Sequence, residues 1–382
     1  MTELDNVIAD AVAQQDAPFL VAMVGHRDGA VWSGAAGERS PGQPASLDTV
    51  FRIFSMTKAV GSMAAMILMD RGKLSADATV ESIVPEFAQL PLLDGFDASG
   101  APILRVPKVK ATVRHLATHT SGLCYEFWNA AMARYMQASG APAILSGLTR
   151  AMNYPLQFEP GTQWGYGIGI DWLGRVVETV DGRRIDQFCR EEIFEPLGMT
   201  DTAFEMLPHM QPRLANVCIR GEDGKFADFA LAPPSKPEFY GMGHALYSTA
   251  PDYLRFLRMV MGHGALDGKR IISVAGLAHM LANQMGSVPV HGLQSTAPPL
   301  SADLDLFPGR KKSHSMAFMR FDEDTPGMRH AGSQGWAGVL NSHYWFDPTA
   351  NVIGLLMTQS LPFIEPRFAS TYEKFERAVY RR

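Results

Sequence analysis

The feature that most limits the possible folds of this chain is where its strand-like and helix-like patterns fall. Residues 18–37 carry two apolar runs around a turn at Arg27-Asp28-Gly29 and predict a β-hairpin. A second hairpin pattern surrounds Asp347-Pro348. Between them, from about residue 76 to 235, the pattern is one of helices and long loops. A single sheet built from both end segments, with a helical part inserted between them, satisfies this order.

We therefore expect an α/β (α+β) fold with an antiparallel sheet flanked by helices. The sheet domain is predicted to be discontinuous, residues 1–75 plus 236–382, and the inserted, mostly helical domain to cover residues 76–235. The helix predicted from residue 56 to about 72 is too apolar for a surface position, so we place it in the core. A cleft between the two parts is the expected site.

Composition excludes several function classes. The formal net charge is −5 and no basic run occurs, which argues against a nucleic-acid partner. No window reaches the ~18–20 apolar residues of a membrane span. The first residues carry acids where a signal peptide would have Lys or Arg, so we expect a cytoplasmic protein.

The three cysteines form no CxxC pair and are interpreted as small buried thiols. We expect no cofactor and no metal, and the sequence leaves the oligomeric state open.

The segment FRIFSMTKAV places Ser55 and Lys58 three residues apart at the start of the apolar helix. Residues at this spacing share a helix face, with Cβ atoms roughly 5–6 Å apart. A lysine is electrostatically unfavourable in a first helical turn, but a buried one can lose its proton and then activate a serine hydroxyl. An ordinary N-cap serine beside a solvated lysine is the alternative interpretation.

Six segments together resemble a known group of enzymes. They are the Ser55–Lys58 motif, HLATHTSGL, FEPGTQWGYGIGIDWLGRVVE, IFEPLGMTDTAF, GHALYSTAPDYLRFL and HAGSQGWAGV. In this order they resemble the class C β-lactamase and family VIII carboxylesterase group of the penicillin-binding protein superfamily. The resemblance, from about residue 15 to 360, implies a β-lactamase/transpeptidase-like fold and an acyl-enzyme on Ser55.

The resemblance also implies a catalytic tyrosine, which is Tyr166 here, acting with Lys58 as general base and acid. The lactamases follow this tyrosine with Ser-Asn, whereas this chain has Gly167-Ile168. The asparagine that would hold a lactam side-chain amide is therefore missing. A core tyrosine with a satisfied hydroxyl is the alternative for Tyr166.

A third motif, Lys-Thr-Gly in lactamases, has two candidates: His330-Ala331-Gly332 and Trp336-Ala337-Gly338. Family VIII esterases carry Trp-Gly-Gly here, so we favour the segment Trp336, Ala337 and Gly338. The backbone N–H groups of Ser55 and Val339 would then form the oxyanion hole. Tryptophan in place of the carboxylate-binding lysine implies an uncharged acyl or alcohol group.

Further candidates for substrate binding are His330 and aromatic residues near the expected cleft, although any one of the aromatic residues can simply be a core residue. These aromatic residues are Tyr125, Phe127, Trp128, Phe239, Tyr240 and Trp336. Together they fit an apolar pocket for a small-molecule ester substrate.

Two other motifs compete with this interpretation. AGSQG could be a nucleophile elbow with Ser333, but a hairpin rather than a helix follows it. HLATH has the two-histidine spacing of a zinc helix, His115 and His119, but lacks the glutamate, so His119 is expected to brace the Thr-Ser-Gly turn. We conclude that the sequence predicts a serine hydrolase of small neutral carboxylic esters. A β-lactamase or amide hydrolase and an acyltransferase, each using the same acyl-enzyme, are the alternatives.

Overall fold

A large antiparallel sheet forms the centre of the protein. The computed structural model describes residues 2–231, 233–234 and 236–381. Within these ranges the sheet has eight strands, and each neighbouring pair is antiparallel. In spatial order the strands are β12 (Lys312–His314), β13 (Met319–Phe321), β14 (Gln334–Gly338), β15 (Ser342–Asp347), β16 (Val352–Met357), β1 (Phe19–His26), β2 (Gly29–Ser40) and β3 (Gln43–Pro44). Both predicted hairpins are confirmed, and the sheet is built from both end segments of the chain.

Helices cover both faces of the sheet. The helices are α1 (Glu3–Ala13), α2 (Thr57–Asp70), α3 (Val113–Ala117), α4 (Ala130–Ser139), α5 (Gly169–Asp181), α6 (Ile185–Cys189), α7 (Glu195–Leu197), α8 (Ala250–Met261), α9 (Val274–Leu281) and α10 (Pro366–Tyr380). A π-helical turn, Arg190–Phe194, joins α6 to α7. No helix in the described ranges has both the length and the apolar character that crossing a bilayer requires.

Strand β1 shows why the sheet needs two covering layers. Its residues are almost all buried, and successive side chains point to opposite faces. Leu20, Ala22 and Val24 pack in one apolar cluster with α1 and α10. The alternate residues Val21 and Met23 pack in the larger cluster that contains α2, α5 and α8. The prediction that helix α2 lies in the core is confirmed, since its residues 57–68 are buried.

The middle of the chain contains short strands as well as the predicted helices and loops. Four small sheets occur in the described ranges: β4 (Phe51–Arg52) with β9 (Tyr247–Ser248), β5 (Leu92–Phe96) with β6 (Pro102–Arg105), β10 (Ala265–Leu266) with β11 (Lys269–Arg270), and β17 (Ser360–Leu361) with β7 (Cys218–Arg220) and β8 (Phe226–Asp228). One apolar cluster includes residues from both proposed domains. The predicted division at residues 75 and 235 stays a prediction.

A long loop lies between α9 and β12. Isolated bridges, Leu293 with Leu304 and Ser301 with Phe363, are its regular pairings. Thr296 donates its backbone N–H to Phe127 O at 3.0 Å and its hydroxyl to Glu126 O at 2.7 Å. The loop therefore lies against the segment that carries three of the predicted site aromatics.

Candidate active site

Ser55 lies in a 3₁₀ turn, Phe54–Met56, that leads directly into α2. Phe54 has φ +42°, a left-handed conformation that a bulky residue rarely adopts and that is often found at functional sites. The loop before α8 and α8 itself hold this turn, because Ile53 N donates to Leu246 O at 3.1 Å and the hydroxyl of Tyr253, in α8, donates to Met56 O at 2.9 Å. Ser55 is half-buried while Phe54 and Met56 on either side of it are buried.

Lys58 is buried, with 3% of its surface exposed. Its Nζ donates to Ser55 Oγ at 3.0 Å, to Tyr125 Oη at 3.0 Å and to Gly243 O at 2.8 Å. Burial lowers the pKa of Lys58 from its usual value to about 7, and the charge of Asp171 acts in the opposite direction. A neutral amine has two N–H groups for Tyr125 and Gly243 and a lone pair for the Ser55 proton. Lys58 can therefore serve as a base.

Tyr166 lies beside both Lys58 and Ser55. Its ring centroid is 4.8 Å from Lys58 Nζ, and its hydroxyl oxygen accepts the Trp336 indole N–H at 2.8 Å. Burial raises the pKa of Tyr166, while hydrogen bonds with Ser55 and Trp336 partly oppose the rise. The hydroxyl thus keeps its proton at neutral pH. Because its oxygen already accepts from Trp336, that proton is available to Ser55 or to a leaving group.

The two residues after Tyr166 have structural reasons to differ from Ser-Asn. A Cβ on Gly167 would lie 2.0 Å from Leu123 O, so this position tolerates only glycine without a backbone shift. The side chain of Ile168 is fully buried in the apolar core. Neither residue therefore offers a side-chain amide to a substrate.

Strand β14 approaches the nucleophile with its last residues. A Cβ on Gly338 would lie 2.4 Å from Ile53 O, so glycine lets the strand contact the backbone two residues before Ser55. Val339 follows this contact directly and is half-buried. The oxyanion pair of Ser55 and Val339 is compatible with this arrangement and stays a prediction. Ala337 and Trp336 are buried in the same strand.

Aromatic side chains form a continuous wall beside Tyr166. The ring centroids of Trp128 and Tyr166 are 5.5 Å apart, and those of Phe127 and Trp128 are 4.5 Å apart. Tyr125 stacks on Phe127 at 5.0 Å. The structure therefore brings Tyr125, Phe127 and Trp128 to the site, as the sequence predicts. We call these three residues the aromatic wall.

A family model described as Beta-lactamase matches residues 4–378. The chain belongs to this beta-lactamase family. Lovastatin esterase of Penicillium rubens is 29% identical over 370 residues, covering 92% of this chain and 91% of that protein. Monacolin J acid methylbutanoyltransferase of Aspergillus terreus is 30% identical over 349 residues, covering 88% of this chain and 83% of that protein. A mutant of simvastatin synthase from Aspergillus terreus superposes with a TM-score of 0.84 at 27% identity, covering 99% of this chain and 98% of that one.

These similarities confirm the resemblance on which the sequence interpretation rests. The fold is that of the β-lactamase/transpeptidase-like enzymes, with an antiparallel sheet and flanking helices. The protein is thus an enzyme of a superfamily that contains both serine hydrolases and acyltransferases. Esterases and acyltransferases both occur among its relatives, so membership alone leaves the acyl acceptor open.

Some predicted residues lie apart from Ser55 in this beta-lactamase-family structure. His330 precedes the distal end of β14, where its Nδ1 lies 2.8 Å from Asp347 Oδ2, so the structure does not bring it to the nucleophile. Tyr240 hydrogen-bonds Glu205 and lines a small cavity with Phe54, Phe239 and His244, and Ser55 is not among the residues that line this cavity. Of the two candidate third motifs, the one containing Trp336 is next to Tyr166.

The competing motifs have other structural roles. Ser333 is completely buried and precedes strand β14, whereas a nucleophile elbow would need an accessible serine before a helix. His115 Nδ1 accepts the Thr112 N–H at 3.2 Å as part of the α3 cap. His119 is buried with its ring centroid 4.7 Å from that of Tyr166, and its carbonyl accepts Gly165 N–H at 2.8 Å. His119 therefore ties the Thr-Ser-Gly turn to the segment of Tyr166.

Three contributions to the site are not evident in the sequence. Tyr125 contacts Lys58 directly, Trp336 donates to Tyr166, and Asp171 accepts the backbone N–H of Gly243 at 2.9 Å. Asp171 lies in a first helical turn, where an acid is common for reasons of helix stability, so its position carries no special signal. The glycines around Gly243 do indicate a close backbone contact.

Proposed function

We propose that this protein takes the acyl group of a small neutral carboxylic ester onto Ser55 and releases it to water. The observation that carries the proposal is the buried Lys58 amine, 3.0 Å from Ser55 Oγ and with a pKa of about 7. Because its pKa is lowered this far, the lysine can be the neutral base near neutral pH. A serine with such a base beside it is an activated nucleophile.

The proposed reaction has two halves. In the first, Lys58 takes the Ser55 proton, Oγ bonds to the ester carbonyl carbon, and Tyr166 donates its proton to the departing alkoxide as the ester C–O bond breaks. Lys58 then returns a proton to Tyr166. In the second half, a water molecule loses a proton to the same two residues, Lys58 and Tyr166, and attacks the acyl carbon. This attack displaces Ser55 Oγ, which is reprotonated. Backbone N–H groups of Ser55 and Val339 would hold the carbonyl oxygen in both halves.

Three structural features support a neutral, apolar substrate. Ile168 is buried where lactamases have an asparagine, and the Trp336 indole already binds Tyr166, where lactamases have a lysine. The aromatic wall supplies apolar surface beside the nucleophile. Loss of one charge-assisted contact to a substrate carboxylate costs about 1.5–3 kcal/mol, which is roughly ten- to hundredfold in kcat/KM.

Transfer to an alcohol is the second candidate function. It is supported by the name of one relative, a methylbutanoyltransferase, that spans 88% of this chain. Both candidates share the acyl-enzyme and differ only in the acceptor. The ratio of free acid to new ester formed in the presence of an added alcohol distinguishes them.

The test is a panel of p-nitrophenyl esters from acetate to decanoate, assayed beside nitrocefin, with Ser55→Ala as the control. We expect kcat/KM for the best short-chain ester to exceed that for nitrocefin by at least ~10²-fold. A fluorophosphonate should label Ser55, as found by mass spectrometry of the peptide that contains it. Labelling of Ser333 instead, or equal turnover of esters and nitrocefin, would contradict the proposal.

A further inference from the structure

Asp171 is connected to the catalytic lysine through one backbone residue. Its side chain is completely buried in the first turn of α5. Asp171 Oδ1 accepts the Gly243 N–H at 2.9 Å, and the Gly243 carbonyl accepts a hydrogen bond from Lys58 Nζ at 2.8 Å. The carboxylate thus holds the same residue that holds the amine.

The second oxygen of this carboxylate lies close to Gly243. Asp171 Oδ2 is buried and has no hydrogen-bond partner among the described residues. A Cβ on Gly243 would lie 2.7 Å from Oδ2 and 3.1 Å from the Tyr125 hydroxyl oxygen, which itself contacts Lys58. Leaving a buried carboxylate oxygen without a hydrogen bond is costly, so this arrangement needs a reason other than stability.

The other titratable groups around Lys58 are neutral at pH 7. Burial raises the pKa of Tyr125 and of Tyr166. Burial also lowers the pKa of His119, which follows α3, and of His244, whose Nδ1 lies 3.6 Å from Asp171 Oδ1. Among the described groups that face Lys58, Asp171 is therefore the one that contributes a charge.

We propose that Asp171 is a positioning residue for Lys58, holding the Gly243 carbonyl in place and keeping the amine basic enough to accept the Ser55 proton. The inference rests on the proposed function, since it assumes that Lys58 is the base. Burial alone lowers the basicity of the amine and makes it a poorer proton acceptor, whereas a nearby negative charge opposes this effect. The two roles are separable because one needs only a hydrogen-bond acceptor and the other needs a charge.

The test measures the rate of Ser55 labelling by a fluorophosphonate as a function of pH. Asp171→Asn keeps an oxygen that can accept the Gly243 N–H but removes the charge. Without the charge the ammonium form is less stable, so we expect the midpoint of the acid limb to move down by about one pH unit. Asp171→Ala also removes the acceptor, and we expect its plateau rate to fall about tenfold or more below that of Asp171→Asn.

The matched control is Asp347→Asn. Asp347 is also a buried carboxylate that accepts backbone N–H groups, but it lies at the distal end of β14 and β15. Its substitution should leave the midpoint unchanged. If Asp171→Asn is not folded by circular dichroism, Gly243→Ala provides a second variant, because its Cβ displaces Asp171 Oδ2 and should also lower the midpoint.

The outcomes separate this inference from the proposed function. Absence of Ser55 labelling in the wild-type protein would contradict the proposed function itself. Normal wild-type labelling, with the same midpoint in folded Asp171→Asn or Gly243→Ala as in the wild type, would overturn the role of Asp171. A lowered midpoint in these variants but not in Asp347→Asn would support it.

Discussion

Each reactive group in the site depends on a neighbour that the local sequence does not reveal. Lys58 is held by Tyr125 and Gly243, and Tyr166 receives the indole N–H of Trp336. The Ser-x-x-K spacing predicts that Ser55 and Lys58 can touch, because both lie on one helical turn. The spacing cannot predict the three partners, because they are distant in the sequence. Tyr125 and Gly243 lie 67 and 185 positions from Lys58, and Trp336 lies 170 positions from Tyr166.

Removal of the base, Lys58, or of the proton donor, Tyr166, should lower kcat by about the same factor. We expect Lys58→Ala and Tyr166→Phe each to lower kcat by about 10²–10⁴. The double variant should be little worse than either single one, since the groups act as a unit. Steady-state kinetics with the best ester tests this, with the exposed Lys269→Ala as control. Nearly normal kcat in Lys58→Ala would contradict the mechanism.

Acylation should depend on pH through the charge of Lys58. The pKa of this lysine is lowered to about 7, so below pH 7 the ammonium form dominates and cannot accept the Ser55 proton. Above pH 7 the neutral amine dominates, and the acylation rate should rise to a plateau. Pre-steady-state release of p-nitrophenol measures this rate. A rate that is constant from about pH 5.5 to 8.5 would mean that another group is the base.

The hydrogen bond from Trp336 to Tyr166 should contribute to rate more than to stability. Trp336→Phe keeps a ring in β14 but removes the N–H donor. We expect kcat to fall about fivefold to tenfold, the value of one ordinary hydrogen bond, with little change in Tm. Trp32→Phe is the matched control, because Trp32 lies in β2 against the apolar cluster of α1 and α10 and its indole N–H donates to Asp5 Oδ1 rather than to a reactive group. Equal effects of the two substitutions on kcat would contradict this role.

At the scale of elements, the site is a contact between the N-terminal end of α2 and the last residue of β14. The two approach because Gly338 has no Cβ to meet Ile53 O. The apolar run of α2 and the strand-like pattern around β14 predict both elements. The contact itself follows from the tertiary fold, although the small residues Ala337 and Gly338 indicate that some close approach occurs there.

Gly338→Ala tests this contact. The added Cβ would lie 2.4 Å from Ile53 O, so β14 or the Ser55 turn must move. We expect the rate of Ser55 labelling to fall by about 10²-fold, because shifts near 1 Å have effects of this size. Gly29→Ala is the control, since no atom lies within 4 Å of its added Cβ. A labelling rate within twofold of the wild type would show that the contact does not position Ser55.

The short strands of the middle segment show where sequence patterns stop being informative. Strand β6 begins with a proline and ends with an arginine, Pro102 and Arg105, and it has no clear alternation. It nevertheless pairs with β5, since strand pairing depends on tertiary context as well as on the residues of the strand itself. Strand β7 pairs in parallel with β17, whose residues lie more than 140 positions further along the chain. Such pairings have no local signature.

At the scale of the whole molecule, a buried ion pair joins the segment before β14 to helix α10. Arg329 donates two hydrogen bonds to Glu376, at 2.8 and 2.6 Å, and the side chains are 2% and 0% exposed. The guanidinium also lies 4.5 Å from the Phe321 ring centroid. The sheet edge and the last helix are thereby held together by charges that are shielded from water.

Removing one partner of this pair should destabilise the fold. Glu376→Ala leaves Arg329 buried without its partner carboxylate, and we expect a loss of about 3–5 kcal/mol in the free energy of unfolding. Glu373→Ala is the control, because it removes an exposed ion pair with Arg377 worth at most about 1 kcal/mol. Chemical denaturation measures both. A loss below 1 kcal/mol for Glu376→Ala would contradict the structural role of the pair.

The central position of β1 has a consequence for how this protein is made. Val21 pairs with Met357, so the two partners emerge from the ribosome more than 330 residues apart. During synthesis the first hairpin must remain without its neighbour β16 while the segments that carry Ser55 and Tyr166 are already outside the ribosomal tunnel. Long-range pairing of this kind is slow and leaves apolar strands uncovered. The nascent chain should therefore be inactive, and a target for chaperones, until β14, β15 and β16 have been translated.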